Sequence, residues 1–114
     1  MRDRLFLLRP GFEDPAYPGQ IFFCWHCALI EGVLASFPQL ATNLDVERIP
    51  WPRPRMEVIR AAGEGNQSLP LLMLAEGEKP PHQTGSFEGR ALIADKDAIL
   101  IALSERHGFP RAHP

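Results

Sequence analysis

The order of patterned segments predicts an α/β fold: a mixed four-stranded sheet carrying helices, in the order β-α-β-α-β-β-α across one domain of residues 1–114. Three observations carry that prediction. Short apolar or alternating runs of strand length recur along the chain, separated by segments whose apolar residues repeat at helical spacing. Most prolines and glycines cluster between these segments. And the only two cysteines stand three residues apart, at the point where the first strand-like stretch gives way to the first helix.

Leu5-Phe6-Leu7-Leu8 is a continuous apolar run stopped by Pro10-Gly11, which favours a buried strand over a helix. Residues 9–20 hold three prolines and two glycines and read as an extended loop of turns. From Cys27 onward, Ile30, Val33, Leu34 and Phe37 fall at i, i+3, i+4 and i+7. Ala28, Leu29 and Ala35 widen that face, so the helix is expected to be mostly buried. Pro38 ends it. Gly32 weakens it, and close backbone packing is the simplest reason for a glycine there.

Leu44–Ile49 alternates apolar and polar residues, a half-buried strand. Residues 50–55 form an extended, proline-rich connector, and Pro54 suits the first turn of a short helix through Ala62. Arg53 and Arg55 read as solvated residues of this connector, with a small anion site as the alternative. Trp51 is expected to wedge against the core. Leu71–Leu74 reads as a central strand, with Pro70 confined to its first position or a special turn. Residues 78–90 read as a long loop and Ala91–Ala94 as the last strand. Asp95 is a good N-cap for a final helix with Ile99, Leu100, Ala102 and Leu103 inward, and Gly108 and Pro110 stop it.

Composition narrows the function. The formal net charge of −2 argues against binding nucleic acid or an anionic membrane, since phosphate contact needs surplus cation. An apolar content of 45% argues against disorder. The apolar run near the N-terminus is four residues long, too short for a secretory signal, so a cytoplasmic location is expected. There thiols stay reduced, and a close cysteine pair is more readily explained by chemistry than by a static bridge.

Cys24-Trp25-His26-Cys27 is therefore the strongest functional signal. A helix N-terminus offers unpaired N–H groups and the positive end of the dipole, both of which stabilise a thiolate. The thiolate is the form that attacks a disulfide. Cys24, the outer residue, is expected to attack, and Cys27, one turn in, to resolve the mixed disulfide. His26 can add positive charge or a hydrogen bond to the Cys24 sulfur, and Trp25 offers a flat apolar surface for a partner. His82, His107 and His113 are expected at the surface. A closed zinc site needs four ligands, and none is expected here.

With its strand–helix–strand opening, a CxxC at the first helix, and Ser68-Leu69-Pro70 before the third strand, the chain resembles the thioredoxin superfamily in its glutaredoxin-like form. It also resembles, more loosely, a small uncharacterised bacterial group of thioredoxin-like proteins. The resemblance implies a thiol–disulfide oxidoreductase with no resident cofactor. Its partner is a disulfide-bearing protein or glutathione, the latter as co-substrate, and the chain is a monomer or homodimer. It further implies a cis Leu69–Pro70 bond beside the dithiol. Ser68 and the Leu69 backbone would then face a bound peptide or glutathione, and Asp95 would meet the γ-glutamyl amino group or simply cap its helix. A histidine before the second cysteine is similar to oxidising, periplasmic members, in contrast with the cytoplasmic expectation. Loops 9–20 and 78–90 are longer than in ordinary relatives and are expected to frame the site. Two other readings stay open: a thioredoxin-fold binding module without turnover, and a metal or iron–sulfur site on the CxxC.

Overall fold

The computed structural model describes residues 2–75 and 77–114. Among these, the chain forms five strands and four helices: β1 Arg4–Leu8, α1 Trp25–Ser36, α2 Pro38–Ala41, β2 Asp45–Ile49, α3 Met56–Ala62, β3 Leu71–Met73, β4 Gly85–Phe87, β5 Arg90–Ile93 and α4 Lys96–His107. The strands make one mixed sheet in the order β2-β1-β3-β5-β4. β1 and β2 are parallel; β1–β3, β3–β5 and β5–β4 are antiparallel.

Strand alternation sorts the core into two layers. Leu5 and Leu7 of β1, Leu72 of β3 and Ala91 and Ile93 of β5 face one side, where Ile30 and Leu34 of α1 and Ile99, Ala102 and Leu103 of α4 cover them. Phe6, Leu71, Met73 and Leu92 face the other, with Ile49 of β2 and Val58 and Ala62 of α3. β1, β3 and β5 are therefore buried on both faces, which is why their sequences read as continuous apolar runs. Each such side chain contributes about 1.5–3 kcal/mol on burial.

The fold departs from the sequence expectation in several places. The sheet has five strands, not four, because residues 78–90 are not all loop: Gly85–Phe87 pairs with β5. The turn between these strands is Glu88-Gly89, with both residues at positive φ (50° and 81°). Such two-residue hairpins usually announce themselves by Asn-Gly or Asp-Gly, and Glu-Gly gives no such signal. This hairpin lies at the sheet edge and packs on α3, with the Phe87 ring against Gly63, so it does not frame the CxxC.

Pro38 ends α1 as expected but also opens the unforeseen α2. α1 is one-sided: Cys27, Ile30 and Leu34 are buried, whereas Ala28, Leu29 and Ala35 are exposed. A Cβ at Gly32 would meet nothing within 4 Å, so close packing does not explain that glycine. Pro54 lies outside α3, which begins at Met56, and the Arg53–Pro54 bond is cis. The Leu69–Pro70 bond is also cis, and Pro70 is buried directly before β3. Among the described residues, no helix is long and apolar enough to cross a membrane.

The N-terminal end of β1 is anchored by a buried carboxylate. Asp3 accepts from Ala75 N–H at 2.7 Å and from Arg106 Nε and Nη2 at 2.7 and 2.8 Å, and lies 2.7 Å from His107 Nε2. His107 is thus tied into the fold and is not a free surface residue, and His82 has its Nε2 buried.

Candidate active site at the start of helix α1

The site is built at the other end of β1. Cys24 is the N-cap of α1, in extended conformation (φ −81°, ψ 117°), and its Sγ accepts the Cys27 N–H at 3.2 Å. A cysteine sulfur here does what serine or aspartate oxygen does at most helix starts: it satisfies one of the orphan amides. Both thiols are free. Cys24 is half-buried, and Cys27, one turn in, is 2% exposed.

Cys27 Sγ accepts the Leu8 N–H from the end of β1 at 3.4 Å. Its thiol is pushed up to about 12. Burial is the main cause; the Cys24 sulfur and the Glu31 carboxylate add to it, and the Leu8 N–H opposes it. The two sulfurs are thus unequal. One sits at an open helix end, and the other is kept protonated in the core.

The remaining sequence candidates are placed in different ways. Cys24, Trp51 and Leu69 pack against the cluster that contains Cys27. Trp25 is 66% exposed. Its ring meets His26 edge-on at 3.9 Å and carries Lys96 Nζ at 5.6 Å, so the start of α4 lies beside the start of α1. Among the described residues, His26 makes no hydrogen bond to either sulfur, and its partner is the Trp25 ring. Asp95 Oδ2 accepts the Ala98 N–H at 2.9 Å and so caps α4. Ser68 is exposed and makes no side-chain hydrogen bond among the described residues.

The loop before α1 is a folded element. Phe12 and Phe22 form a β-bridge, Phe22 N–H donating to Phe12 O at 2.7 Å, and Phe12 stacks on Trp51 at 5.7 Å and 9°. This loop does border the site. A pocket of about 380 Å³ beside the two sulfurs is lined by Leu8, Pro10, Phe23, Ala28 and Glu31. Phe23, which lines it, is 63% exposed, and Ile21, two residues earlier, is 65% exposed.

Sequence reasoning missed Arg55. It is 6% exposed, not solvated. Its Nε and Nη2 donate to Trp51 O at 3.0 and 2.8 Å, and its Nη1 to Gln67 O at 2.7 Å. Nothing local to Pro52-Arg53-Pro54-Arg55 reveals this, because both acceptors are backbone carbonyls placed by tertiary structure. The one available signal was position: the last residue before an apolar helix sits at the core boundary.

Among the described residues, no group of three or more His, Cys, Asp or Glu comes together that could hold a metal ion. A family described as protein of unknown function (DUF3088) matches residues 2–111. Comparison with curated proteins and comparison with solved structures each gave no match.

Proposed function

We propose that this chain, which belongs to the DUF3088 family of proteins of unknown function, is a thioredoxin-like thiol–disulfide oxidoreductase working through Cys24 and Cys27. The observation that carries the reading is the asymmetry of the pair. Cys24 caps a helix with its sulfur and remains reachable, while Cys27 is buried under the Leu8 amide with its thiol pushed up to about 12. The β2-β1-β3-β5 portion of the sheet, with β1 and β2 parallel and the rest antiparallel, is in keeping with a glutaredoxin-like fold.

The chemistry follows from that asymmetry. Cys24 thiolate attacks a substrate R–S–S–R′, a Cys24–S–S–R bond forms, and R′–S⁻ leaves and takes up a proton. Cys27 then attacks the Cys24 sulfur. Its proton passes to the departing R–S⁻, and a Cys24–Cys27 disulfide remains. The substrate disulfide has gained two electrons, and a second dithiol or two glutathione molecules return them to the protein. Cys27 holds its proton until this second step because burial disfavours its thiolate. The pocket lined by Pro10 and Phe23, with the exposed Trp25 following Cys24 in the chain, suits the apolar flank of a disulfide-bearing polypeptide. We place this activity in the cytoplasm, where the dithiol is the resting form.

The test is reduction of a chromogenic disulfide, followed by release of the coloured thiolate. Cys24→Ser should fall to background, and Cys27→Ser should accumulate a mixed disulfide on Cys24, visible by mass. Equal rates for parent and Cys24→Ser would sink the reading. The exposed Ile21, Phe23 and Trp25 would then favour the second reading, a binding module that uses the same mouth without turnover.

A further inference from the structure

We propose that Arg55 is a positioning residue for this dithiol: its buried guanidinium, fixed between the Trp51 and Gln67 carbonyls, is the counter-charge for a thiolate at Cys24. The inference rests on the redox reading and names the residue that sets the reactivity of that site.

Arg55 is buried without a counter-ion. Arginine is charged at every accessible pH, and a buried guanidinium is ordinarily paired with a carboxylate. Among the described residues, no carboxylate lies within ion-pair distance of Arg55, although seven other Arg, Lys or His side chains do form such pairs or networks. Its donors are also incompletely used. A guanidinium has five N–H groups. Three are used on Trp51 O and Gln67 O, so two have no acceptor among the described residues. The positive charge is neutralised by neither.

The segments that hold Arg55 connect to the dithiol end of β1. The Trp51 carbonyl lies two residues past Ile49, the register partner of Leu8, whose N–H bonds the Cys27 sulfur. Trp51 packs with Cys24 against the cluster that contains Cys27, and Gln67 stands two residues before Leu69, which packs there too. The Arg55 N–H adds a bond to Gln67 Oε1 at 2.9 Å, so one residue ties the connector to the loop before β3. Burial and the nearby Arg53 charge pull the Arg55 guanidinium below its usual range, and negative charge on Cys27 or Cys24 pulls it back up. That attraction is mutual: a sulfur that stabilises the cation is stabilised by it. The other charged or titratable groups of this region are Glu31, which acts on Cys27, Arg53, which acts on Arg55, Lys96 above the Trp25 ring, and the His26 ring beside Trp25. None of these is altered in the variants below.

The experiment compares the parent with Arg55→Gln, which keeps donors but loses charge, and Arg55→Lys, which keeps charge but loses the fork. Two readouts are taken: the rate of Cys24 alkylation by iodoacetamide at pH 7, and the dithiol–disulfide equilibrium in glutathione buffers. For Arg55→Gln the expected alkylation is about tenfold slower. Its equilibrium moves about tenfold toward the disulfide, or about 30 mV for a two-electron couple. Arg55→Lys should stay within about threefold of the parent on both. A folded Arg55→Gln that matches the parent overturns the proposal, and so does an Arg55→Lys as slow as Arg55→Gln, because the role would then be geometric.

Should Arg55→Gln fail to fold, the parent alone decides. The Arg55 Nε–H nuclear magnetic resonance signal should shift as the Cys24 thiol ionises, and should not shift in Cys24→Ser over the same pH range. A signal that stays fixed in the parent overturns the proposal. Failure of the redox reading looks different: the parent itself would show no two-electron couple, while the alkylation rates and the resonance would still decide the role of Arg55.

Discussion

Asp3 and Arg55 are the two buried charged residues among those described, and they lie toward opposite ends of β1. They are handled in opposite ways. Asp3 has a full set of partners: a two-point bond from Arg106, the Ala75 amide and the His107 ring. These tie the N-terminal segment, the end of β3 and the last turn of α4 together. Arg55 donates only to neutral carbonyls, and the negative charges that act on it are those of the Cys27 and Cys24 sulfurs when deprotonated. The lesson is about use. A buried charge whose partners are all fixed acts as a clamp, whereas one whose partner is ionisable is coupled to chemistry.

The largest way to break this comparison is to remove the clamp. Asp3→Asn leaves Arg106 and His107 facing a neutral amide and should cost about 3 kcal/mol or more, read by urea unfolding. Cys24 alkylation in the folded fraction should not change. Burial alone would raise the Asp3 carboxyl, but Arg106, the Ala75 N–H and His107 outweigh it and hold the group below its ordinary range. The stabilisation is therefore present above about pH 4 and is lost as the pH falls through the depressed value. Asp3→Asn should flatten that acid limb. A variant that kept parental stability at pH 7 would mean that the clamp is not what holds this end together.

The dithiol end should show the opposite limb. Cys27 is raised in the folded state, so the fold keeps a proton that the unfolded chain releases above about pH 8.5. The reduced protein should thus lose stability as the pH rises from there toward 12, by up to about 1.4 kcal/mol per pH unit. Urea midpoints of reduced parent and Cys27→Ala across pH 8–11 check this. The slope should vanish in the variant and in the disulfide form. Persistence of the slope in Cys27→Ala would assign it to another group.

Both ends were unequally legible in the sequence. The dithiol was visible because spacing, an apolar lead-in and a helical pattern coincide within Phe22–Phe37. The strands that form the centre of the sheet were visible because burial on both faces leaves unbroken apolar runs. What was hidden depends on partners far along the chain. β4 is three residues long and pairs through a Glu88-Gly89 turn with no composition signal. The loop before α1 looked like bare turns because its order comes from Phe12 stacking on Trp51, 39 residues on. Asp3 and Arg55 are single charges whose burial is decided by α4 and by the loop before β3, and no local pattern encodes either.

The smallest effect separates two roles at the residue where the ends come closest in kind. Asp95 carries a negative charge at the start of α4, as a ligand for an amino group would, yet one of its oxygens already caps the helix through the Ala98 N–H. Asp95→Ala should cost about 1 kcal/mol, and Asp95→Ser should restore most of that because serine caps nearly as well. Serine does not restore the charge. If Asp95 only caps, Asp95→Ser should match the parent in every rate, with glutathione or with a dithiol as the electron donor. If the carboxylate also meets the glutathione amino group, Asp95→Ser should raise the KM for glutathione severalfold and leave kcat and the dithiol-driven rate unchanged. That split in KM, measured in a protein of parental stability, distinguishes a charge that holds the fold from one that the fold leaves free for a substrate.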